Sequence, residues 1–494
     1  MVVRNEVLPR RMAGILLHPT SLPGAWEYGH LGPHARRFVD FLVRAGQGVW
    51  QILPLGPTHD NRSPYQCLSV HAGNPRLISI EELVAAGWLP AEAAHGGDQA
   101  HHERLLREAY RAFRTHGTEA QHHAMERFCA EEASWLDDYA LYQAVRLEQQ
   151  AKGWMQWPVP LRDREPQALA EARARLARDV EQARFEQWVF FTQWDAVKRY
   201  ANDNGILVFG DVPIFVAHDS ADVWAQREYF ALDDEGNAAR VAGVPPDYFS
   251  KTGQRWGNPH YRWDRMEQDG FAWWRERLRT QLRQFDLVRI DHFRGFEAYW
   301  DIPGEAETAV DGHWVKAPGE ALFEELHKHF DPLPLVAEDL GLITDEVRAL
   351  RDQFQLPGMT ILQFAFDGGP ENPYLPHNYR PNCVAYTGTH DNDTTMGWYA
   401  ELGEDEQAAI HEYLGRPEEP MPWPLIRAVT ASVARLAVVP LQDVLELGSE
   451  QRMNTPGTSE GNWRWRFRWE DGVEDKAGHL LHLAGLYGRL PPRD

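Results

Sequence analysis

Four acidic residues stand close to the ends of apolar, strand-like runs. Asp211, Asp291 and Glu338 follow three such runs within two residues, and Asp391 lies beyond a fourth. Cleavage of a glycosidic bond with retention of configuration needs two carboxyl groups: one attacks the anomeric carbon, and the other protonates the leaving oxygen and later deprotonates the acceptor. Each acid alone could be a helix N-cap or part of a surface ion pair. The joint pattern favours a retaining carbohydrate-active site.

Two of these acids have features that suit the two roles, one as an ionised nucleophile and the other as a protonated acid. Side chains alternate along a strand, so Arg289 and Asp291 share one face. Arginine should then lower the pKa of Asp291 and keep it ionised as a nucleophile. Glu338 must begin protonated, so its pKa should be raised by partial burial and by the charges of Asp291 and Asp391.

Eight short apolar or β-branched runs are candidate buried strands. They cover residues 14–17, 49–53, 206–209, 287–290, 335–337, 361–364, 383–386 and 437–441. Amphipathic helical patterns lie between several of them, for example at Phe38, Phe41 and Leu42. The alternation predicts an α/β fold, a (β/α)8 TIM barrel whose carboxyl strand ends carry the site.

Two long connections interrupt this alternation. Residues 57–200, rich in Ala, Glu and Arg, predict a mainly helical insertion after the second strand. Residues 213–270, rich in Gly, Pro and aromatic residues, predict a loop-rich insertion after the third strand that borders the active site. We therefore expect residues 1–494 to form one catalytic barrel with two insertions.

Composition disfavours several classes of partner and cofactor. The chain carries 50 basic and 73 acidic residues and a formal charge of -23, so nucleic acid and anionic membranes are poor partners. The three cysteines are too few and too far apart for a disulfide framework or a zinc site, and no phosphate-binding glycine loop is present. Neither a signal peptide nor a membrane-spanning run is visible. We expect a cytoplasmic protein without metal or cofactor.

The acidic residues lie in segments that resemble the catalytic signatures of the α-amylase clan. These are Arg289-x-Asp291, Glu338 within VAEDLG (336–341), and His390-Asp391 within TGTHDND (387–393). The flanking sequences resemble the amylomaltases, or 4-α-glucanotransferases, at ILLHPTSLP (15–23), SPY (63–65), GDVPI (210–214) and NWRWR (462–466). The resemblance covers nearly the whole chain and shows no departure at a catalytic position.

This resemblance implies a role for each of five residues. Asp291 would be the nucleophile, Glu338 the acid/base, and Asp391 a third carboxylate that binds sugar hydroxyls and favours the distorted ring. Arg289 and His390 would support them.

The resemblance also implies the substrate contacts. Tyr65 would stack under the transferred sugar, with Asp211 nearby, and residues 243–250 would be part of a mobile loop on the acceptor side. The further substrate-contact candidates are Ser63, Asp247, Gln254, Trp256, His292 and Asn462.

Three functions are compatible with these residues: glucan transfer, plain retaining hydrolysis, and glucan binding without catalysis. The last would be expected to lack a catalytic carboxylate, and none is missing. Transfer requires that water be kept from the covalent intermediate while a sugar hydroxyl is positioned, and the aromatic, Pro-rich stretch 247–256 suits such a lid. The resemblance favours transfer, so we expect a 4-α-glucanotransferase acting by double displacement on maltooligosaccharides, amylose or glycogen-derived glucans. The oligomeric state stays open.

Overall fold

A computed structural model describes residues 7–246, 250–458 and 460–492. The strands in these ranges are β1 (Met12–Leu16), β2 (Val49–Gln51), β3 (Leu207–Pro213), β4 (Arg240–Val244), β5 (Gln254–Pro259), β6 (Leu287–Asp291), β7 (Ala298–Pro303), β8 (His313–Lys316), β9 (Leu335–Ala337), β10 (Gly358–Ile361), β11 (Cys383–Tyr386) and β12 (Leu436–Pro440).

Eight strands of the described ranges form one parallel sheet in the order β10-β11-β12-β1-β2-β3-β6-β9. The amide of Ala337, at the end of β9, donates to the carbonyl of Pro357, just before β10, over 2.8 Å. The two outer strands of the sheet therefore meet. The (β/α)8 barrel expected from the strand pattern is confirmed.

Helices surround the barrel and fill its long connections. They are α1 (Pro33–Arg44), α2 (Ile80–Ala85), α3 (Gln99–His116), α4 (Glu119–Glu131), α5 (Ala133–Glu148), α6 (Val159–Arg162), α7 (Pro166–Arg175), α8 (Ala177–Asp203), α9 (Ala221–Ala225), α10 (Trp263–Gln268), α11 (Ala272–Gln284), α12 (Gly319–His329), α13 (Asp345–Gln353), α14 (Thr395–Glu401), α15 (Glu404–Tyr413), α16 (Trp423–Ala431), α17 (Leu441–Val444) and α18 (Ala477–Leu486). None of these helices, which belong to the described ranges, has both the length and the apolar content needed to cross a bilayer.

The first helix shows how apolar spacing places a helix on the barrel. α1 has Pro33 at its first position, where the missing N–H costs nothing because that group has no partner within the helix. Phe38, Phe41 and Leu42 lie on one face and are fully buried. The Phe38 ring packs against Trp50 of β2, with ring centroids 5.1 Å apart. The apolar stripe thus holds α1 against the strands.

One strand was predicted three residues too far toward the C-terminus. The sixth apolar run was expected at 361–364, whereas β10 covers Gly358–Ile361 and Leu362–Phe364 forms a 3-10 turn. A short buried run does not distinguish a strand from a buried helical turn, because both remove all side chains from water.

The connection between β2 and β3 contains α2 to α8, in agreement with the helical pattern of that segment, although its extent as an insertion stays a prediction. The longest helix in the described ranges, α8, binds residues 73–79, which follow Tyr65 in the chain. The amide group of Gln187 exchanges two hydrogen bonds of 2.8 Å with the backbone of Gly73. Gln193 exchanges two with the backbone of Ser79, over 2.7 and 3.1 Å. Residues 73–79 are thereby fixed against a rigid helix.

Four further strands in the described ranges form an antiparallel sheet in the order β5-β4-β7-β8. Two of them, β4 and β5, lie in the segment 213–270, for which sequence patterns predicted loops. Neither strand has a clear alternation of polar and apolar residues. They form because β4 pairs with β7, a strand more than 50 residues later, and such pairing is invisible in a local sequence window.

Candidate active site

Strand register brings Asp291 and Glu338 next to each other at the barrel mouth. Ile290 of β6 lies opposite Ala337 of β9, and the amide of Glu338 donates to the carbonyl of Ile290 over 3.0 Å. The two acids are the next residues on these paired strands. Their neighbourhood therefore follows from parallel pairing, which places the carboxyl ends of adjacent strands at one edge.

A buried arginine connects Asp291 to the next strand. Arg289 donates to Asp211 over 2.7 Å and to Asp291 over 2.9 Å. Asp211 lies directly opposite Arg289 in the β3–β6 register and also accepts from the hydroxyl of Tyr65 over 2.7 Å. Charge-assisted bonds of this kind are short and directional, so the nucleophile candidate is held in one orientation.

Backbone amides orient the carboxyl group of Glu338. It accepts a hydrogen bond of 2.6 Å from the amide of His292 and one of 3.0 Å from that of Leu340. His292 has a left-handed backbone conformation with φ of 55°, which costs on the order of 1 kcal/mol for a residue other than glycine. That turn, directly after Asp291, aims an N–H at the neighbouring carboxyl group. The strained residue therefore follows Asp291 directly and donates the hydrogen bond that orients Glu338.

The third carboxylate is held from both sides. His390 Nε2 lies 3.3 Å from one oxygen of Asp391, and the side-chain amide of Asn454 donates to the other over 2.7 Å. Arg452 donates to the backbone carbonyl of Asp391 over 3.0 Å. The sequence patterns did not single out Asn454 or Arg452, because they belong to an irregular segment more than 60 residues away from Asp391.

Burial acts on the two neighbouring acids in the same direction. It raises the pKa of Glu338 to about 7, and the charge of Asp291 adds to this against the opposing charge of Arg289. The raised pKa expected for Glu338 is confirmed.

Burial also raises the pKa of Asp291, to about 6, although Arg289 opposes the shift. Arg289 does act to lower this pKa, as expected, but the net lowering was wrong, because burial and the charges of Asp211 and Asp391 outweigh the arginine. Asp291 differs from Glu338 in that it bonds a guanidinium directly, which favours its ionised form. For Asp391, burial opposes ionisation, but His390 and the Asn454 hydrogen bond outweigh it and hold the pKa well below its usual range.

Aromatic rings flank the carboxylates on the β11 side. The rings of Tyr65 and His390 are stacked, with centroids 5.2 Å apart and planes 15° apart. Trp463 lies 5.9 Å from Tyr65 and 6.0 Å from His390. Such flat faces suit the C–H faces of a sugar ring.

Another aromatic contact lies beside the β6 end. Trp256 of β5 meets the His292 ring edge-on at 4.9 Å, and its indole N–H donates to the side chain of Gln254 over 3.1 Å. The structure thereby brings two of the predicted acceptor-side residues close to the turn that bonds Glu338. The third, Asp247, lies outside the described residues.

Two other predicted contact residues organise loops. Ser63 Oγ accepts from the amide of Tyr65 over 3.3 Å. Asn462 accepts from the amide of Thr455 over 2.9 Å, next to Asn454. Both residues therefore support side chains that reach the site, and their direct contact with substrate stays a prediction.

Within residues 7–246, 250–458 and 460–492, no group of three or more His, Cys, Asp or Glu side chains is arranged to hold a metal ion. The chemistry that the described site can perform itself is proton transfer and nucleophilic attack by carboxyl groups.

Comparison with known proteins gives a consistent result. A family profile described as 4-alpha-glucanotransferase matches residues 17–471. The chain is 53 % identical to a 4-alpha-glucanotransferase of Thermus thermophilus, over 98 % of this chain and 100 % of the relative. It is 50 % identical to a 4-alpha-glucanotransferase of Synechocystis sp., over 98 % and 99 %. The fold is similar to that of an amylomaltase from Streptococcus agalactiae in complex with acarbose, with a TM-score of 0.94, 37 % identity and coverage of 97 % of this chain and 100 % of that one.

Proposed function

The chain belongs to the 4-alpha-glucanotransferase family and transfers segments of α-1,4-glucan by that family's retaining double displacement, and from this premise we propose how its residues divide the work. Asp291 is the nucleophile, Glu338 the acid/base and Asp391 the carboxylate that binds sugar hydroxyls. The observation that carries the assignment is the placement of Asp291 and Glu338 side by side on paired strands, where Asp291 bonds Arg289 and burial raises the pKa of Glu338.

In the first half-reaction, the Asp291 carboxylate attacks the anomeric carbon of the donor, and the bond from that carbon to the glycosidic oxygen breaks. Glu338 gives its proton to this oxygen, so one segment leaves as a free glucan. The other segment remains as an ester on Asp291. The amides of His292 and Leu340 keep the Glu338 carboxyl group aimed during the transfer.

In the second half-reaction, an acceptor hydroxyl attacks the ester and Glu338 takes its proton. Esterification has removed the charge of Asp291, which is one of the causes that raise the Glu338 pKa. The pKa of Glu338 should therefore fall when a base is needed. One residue then serves both half-reactions.

Asp391 remains ionised throughout because its pKa is low. We infer that it accepts hydrogen bonds from hydroxyls of the sugar at the nucleophile, while Tyr65 provides a flat face for the same sugar. Maltooligosaccharides, amylose and glycogen-derived glucans are the proposed donors and acceptors, since all offer the same α-1,4-linked unit. Trp256 and Gln254 would contact the acceptor on the Glu338 side.

Incubation with maltotriose tests this function. Transfer gives glucose and a ladder of longer oligomers, whereas hydrolysis gives glucose and maltose alone. The second outcome would favour a plain hydrolase using the same carboxylates. It would mean that water reaches the ester on Asp291 faster than a sugar hydroxyl does.

A further inference from the structure

An exposed tryptophan lies on the outer strand of the small antiparallel sheet. Trp314 of β8 is 38 % exposed, and the guanidinium carbon of Arg294 sits 3.7 Å from its ring centroid. Trp300 packs against it edge-on, with centroids 5.1 Å apart. Since Arg294 covers one face and is itself only 6 % exposed, the accessible surface of Trp314 is its other face and its edges. The ring is therefore oriented in advance, which reduces the entropy lost on binding.

This tryptophan is linked to the loops that carry both central carboxyl groups. Arg294 comes three residues after Asp291, and it donates to the backbone carbonyl of Leu342, four residues after Glu338. The two loops run side by side, since the amide of Phe293 donates to the carbonyl of Glu338 over 3.1 Å. Three residues span at most roughly 11 Å. A bound oligosaccharide of several units can therefore extend from the carboxylates to this rim.

A second apolar side chain accompanies Trp314. Leu342, whose backbone carbonyl accepts from the same guanidinium, is 58 % exposed. A single exposed apolar residue needs no explanation, but here one arginine contacts both the Trp314 ring and the backbone of Leu342, and it follows the nucleophile candidate by three residues. The charge of Arg294 is occupied by the ring and the carbonyl, so the surface offers stacking and apolar contact to a neutral ligand.

We propose that Trp314, Leu342 and the underlying Arg294, together called the Trp314 platform, bind the distal part of an α-1,4-glucan chain whose near end lies at the carboxylates. Glu338 protonates the leaving oxygen, so sugars on its side belong to the leaving glucan and later to the acceptor. Leu342 lies in the loop that follows Glu338, and Arg294 connects that loop to Trp314, so we assign this part of the chain to the platform. The inference rests on the proposed function and adds to it a preference for long glucans.

The test compares substrates of different length. Trp314→Ala should lower the ratio of kcat/KM for amylose to that for maltotriose by about fivefold to tenfold, since short chains reach the platform poorly and one stacking contact is lost. Trp314→Phe keeps a flat ring and should stay within about twofold of wild type. Leu147→Ala, which removes an exposed apolar side chain from α5, serves as matched control and should leave the ratio unchanged.

A binding measurement separates this inference from the reaction. In the Asp291→Asn background, electrophoresis through gels containing amylopectin should show weaker retardation when Trp314→Ala is added.

An unchanged ratio and unchanged retardation in a folded Trp314→Ala protein would overturn the platform, while wild type that still forms a maltotriose ladder would leave the proposed function intact. A change from dimer to monomer on gel filtration of Trp314→Ala would assign the surface to a second copy instead. Wild type that yields only glucose and maltose would refute the transfer function, and the gel would still decide about the platform.

Discussion

The pH dependence of kcat/KM should follow a narrow bell with its maximum near pH 6.5. The free enzyme is active when Asp291 is ionised and Glu338 is protonated. Activity should fall on the acid side as Asp291 takes a proton, with an apparent pKa near 6, and on the alkaline side as Glu338 loses one, near 7. Because the two groups interact, the limbs report the pair.

The magnitude follows from these two values. With limbs this close together the profile has no plateau, and part of the enzyme is in an inactive protonation state even at the maximum. At pH 5 and at pH 8 the active fraction falls to roughly a tenth. Without burial the carboxyl pKa values would lie near their ordinary values of about 4, and Glu338 would be almost fully ionised at neutral pH. The position of the alkaline limb therefore measures the effect of burial on Glu338.

The decisive perturbation is Glu338→Gln, assayed with two donors. With maltotriose the rate should drop by about a hundredfold or more, because the leaving oxygen receives no proton. With an α-glucosyl fluoride, whose leaving group departs without protonation, release of fluoride in a single turnover should partly recover. Its alkaline limb should be absent, whereas the acid limb from Asp291 should remain.

The wild type assayed with maltotriose provides the reference profile, and thermal melting confirms that the variant is folded. An alkaline limb that persists unchanged in Glu338→Gln during the fluoride assay would refute the assignment of Glu338 as the acid. A wild-type limb near pH 4.5 would show that burial does not act on this carboxyl group as the structure indicates.

Three further substitutions test other parts of the structure. Asp291→Asn should abolish transfer while the protein still folds and is retarded in amylopectin gels, and residual activity near the wild-type level would exclude Asp291 as nucleophile. Asn454→Ala should lower kcat/KM by about tenfold, the effect of losing one hydrogen bond to a charged group, without lowering the melting temperature, and an unchanged kcat/KM would mean that Asp391 needs no such support. Glu186→Gln should stabilise the fold at pH 8, because burial raises the pKa of Glu186 to about 7 and a carboxyl group with a raised pKa costs stability once pH exceeds its unfolded value. The gain should appear in urea unfolding at pH 8 and be close to zero at pH 4, where both states are mostly protonated, and an equal gain at both pH values would contradict the linkage.

The strand ends could be predicted because the two features that mark them, an apolar run and an acid after it, lie within a few residues of each other. A buried parallel strand is a short apolar run, and an acid directly after it stands out in the sequence. Asp291 and Glu338 could therefore be paired before any coordinates were known, and β6 and β9 proved to be neighbours in the barrel. The 3-10 turn at Leu362–Phe364 marks the limit of that signal, since it is as apolar as the strand before it.

The contacts that complete the site were not predictable in the same way. Asn454 reaches Asp391 from an irregular segment, and no periodicity or spacing marks it. The sheet that carries Trp256 and Trp314 depends on β4 pairing with strands from later in the chain. Contacts of this kind join segments that are far apart in sequence, so they depend on how the loops fold in three dimensions.

The sequence by itself determined which residues could do the chemistry and, through the resemblance of its motifs, which reaction they would serve. Residue type and strand position are properties of a short segment, so they can be read one segment at a time. Only the tertiary structure decided the electrostatic balance, because the pKa of Asp291 depends on how far Arg289 is shared with Asp211 and on how much water the folded barrel excludes. Those quantities are sums over neighbours from distant parts of the chain, and they exist only once the barrel has closed.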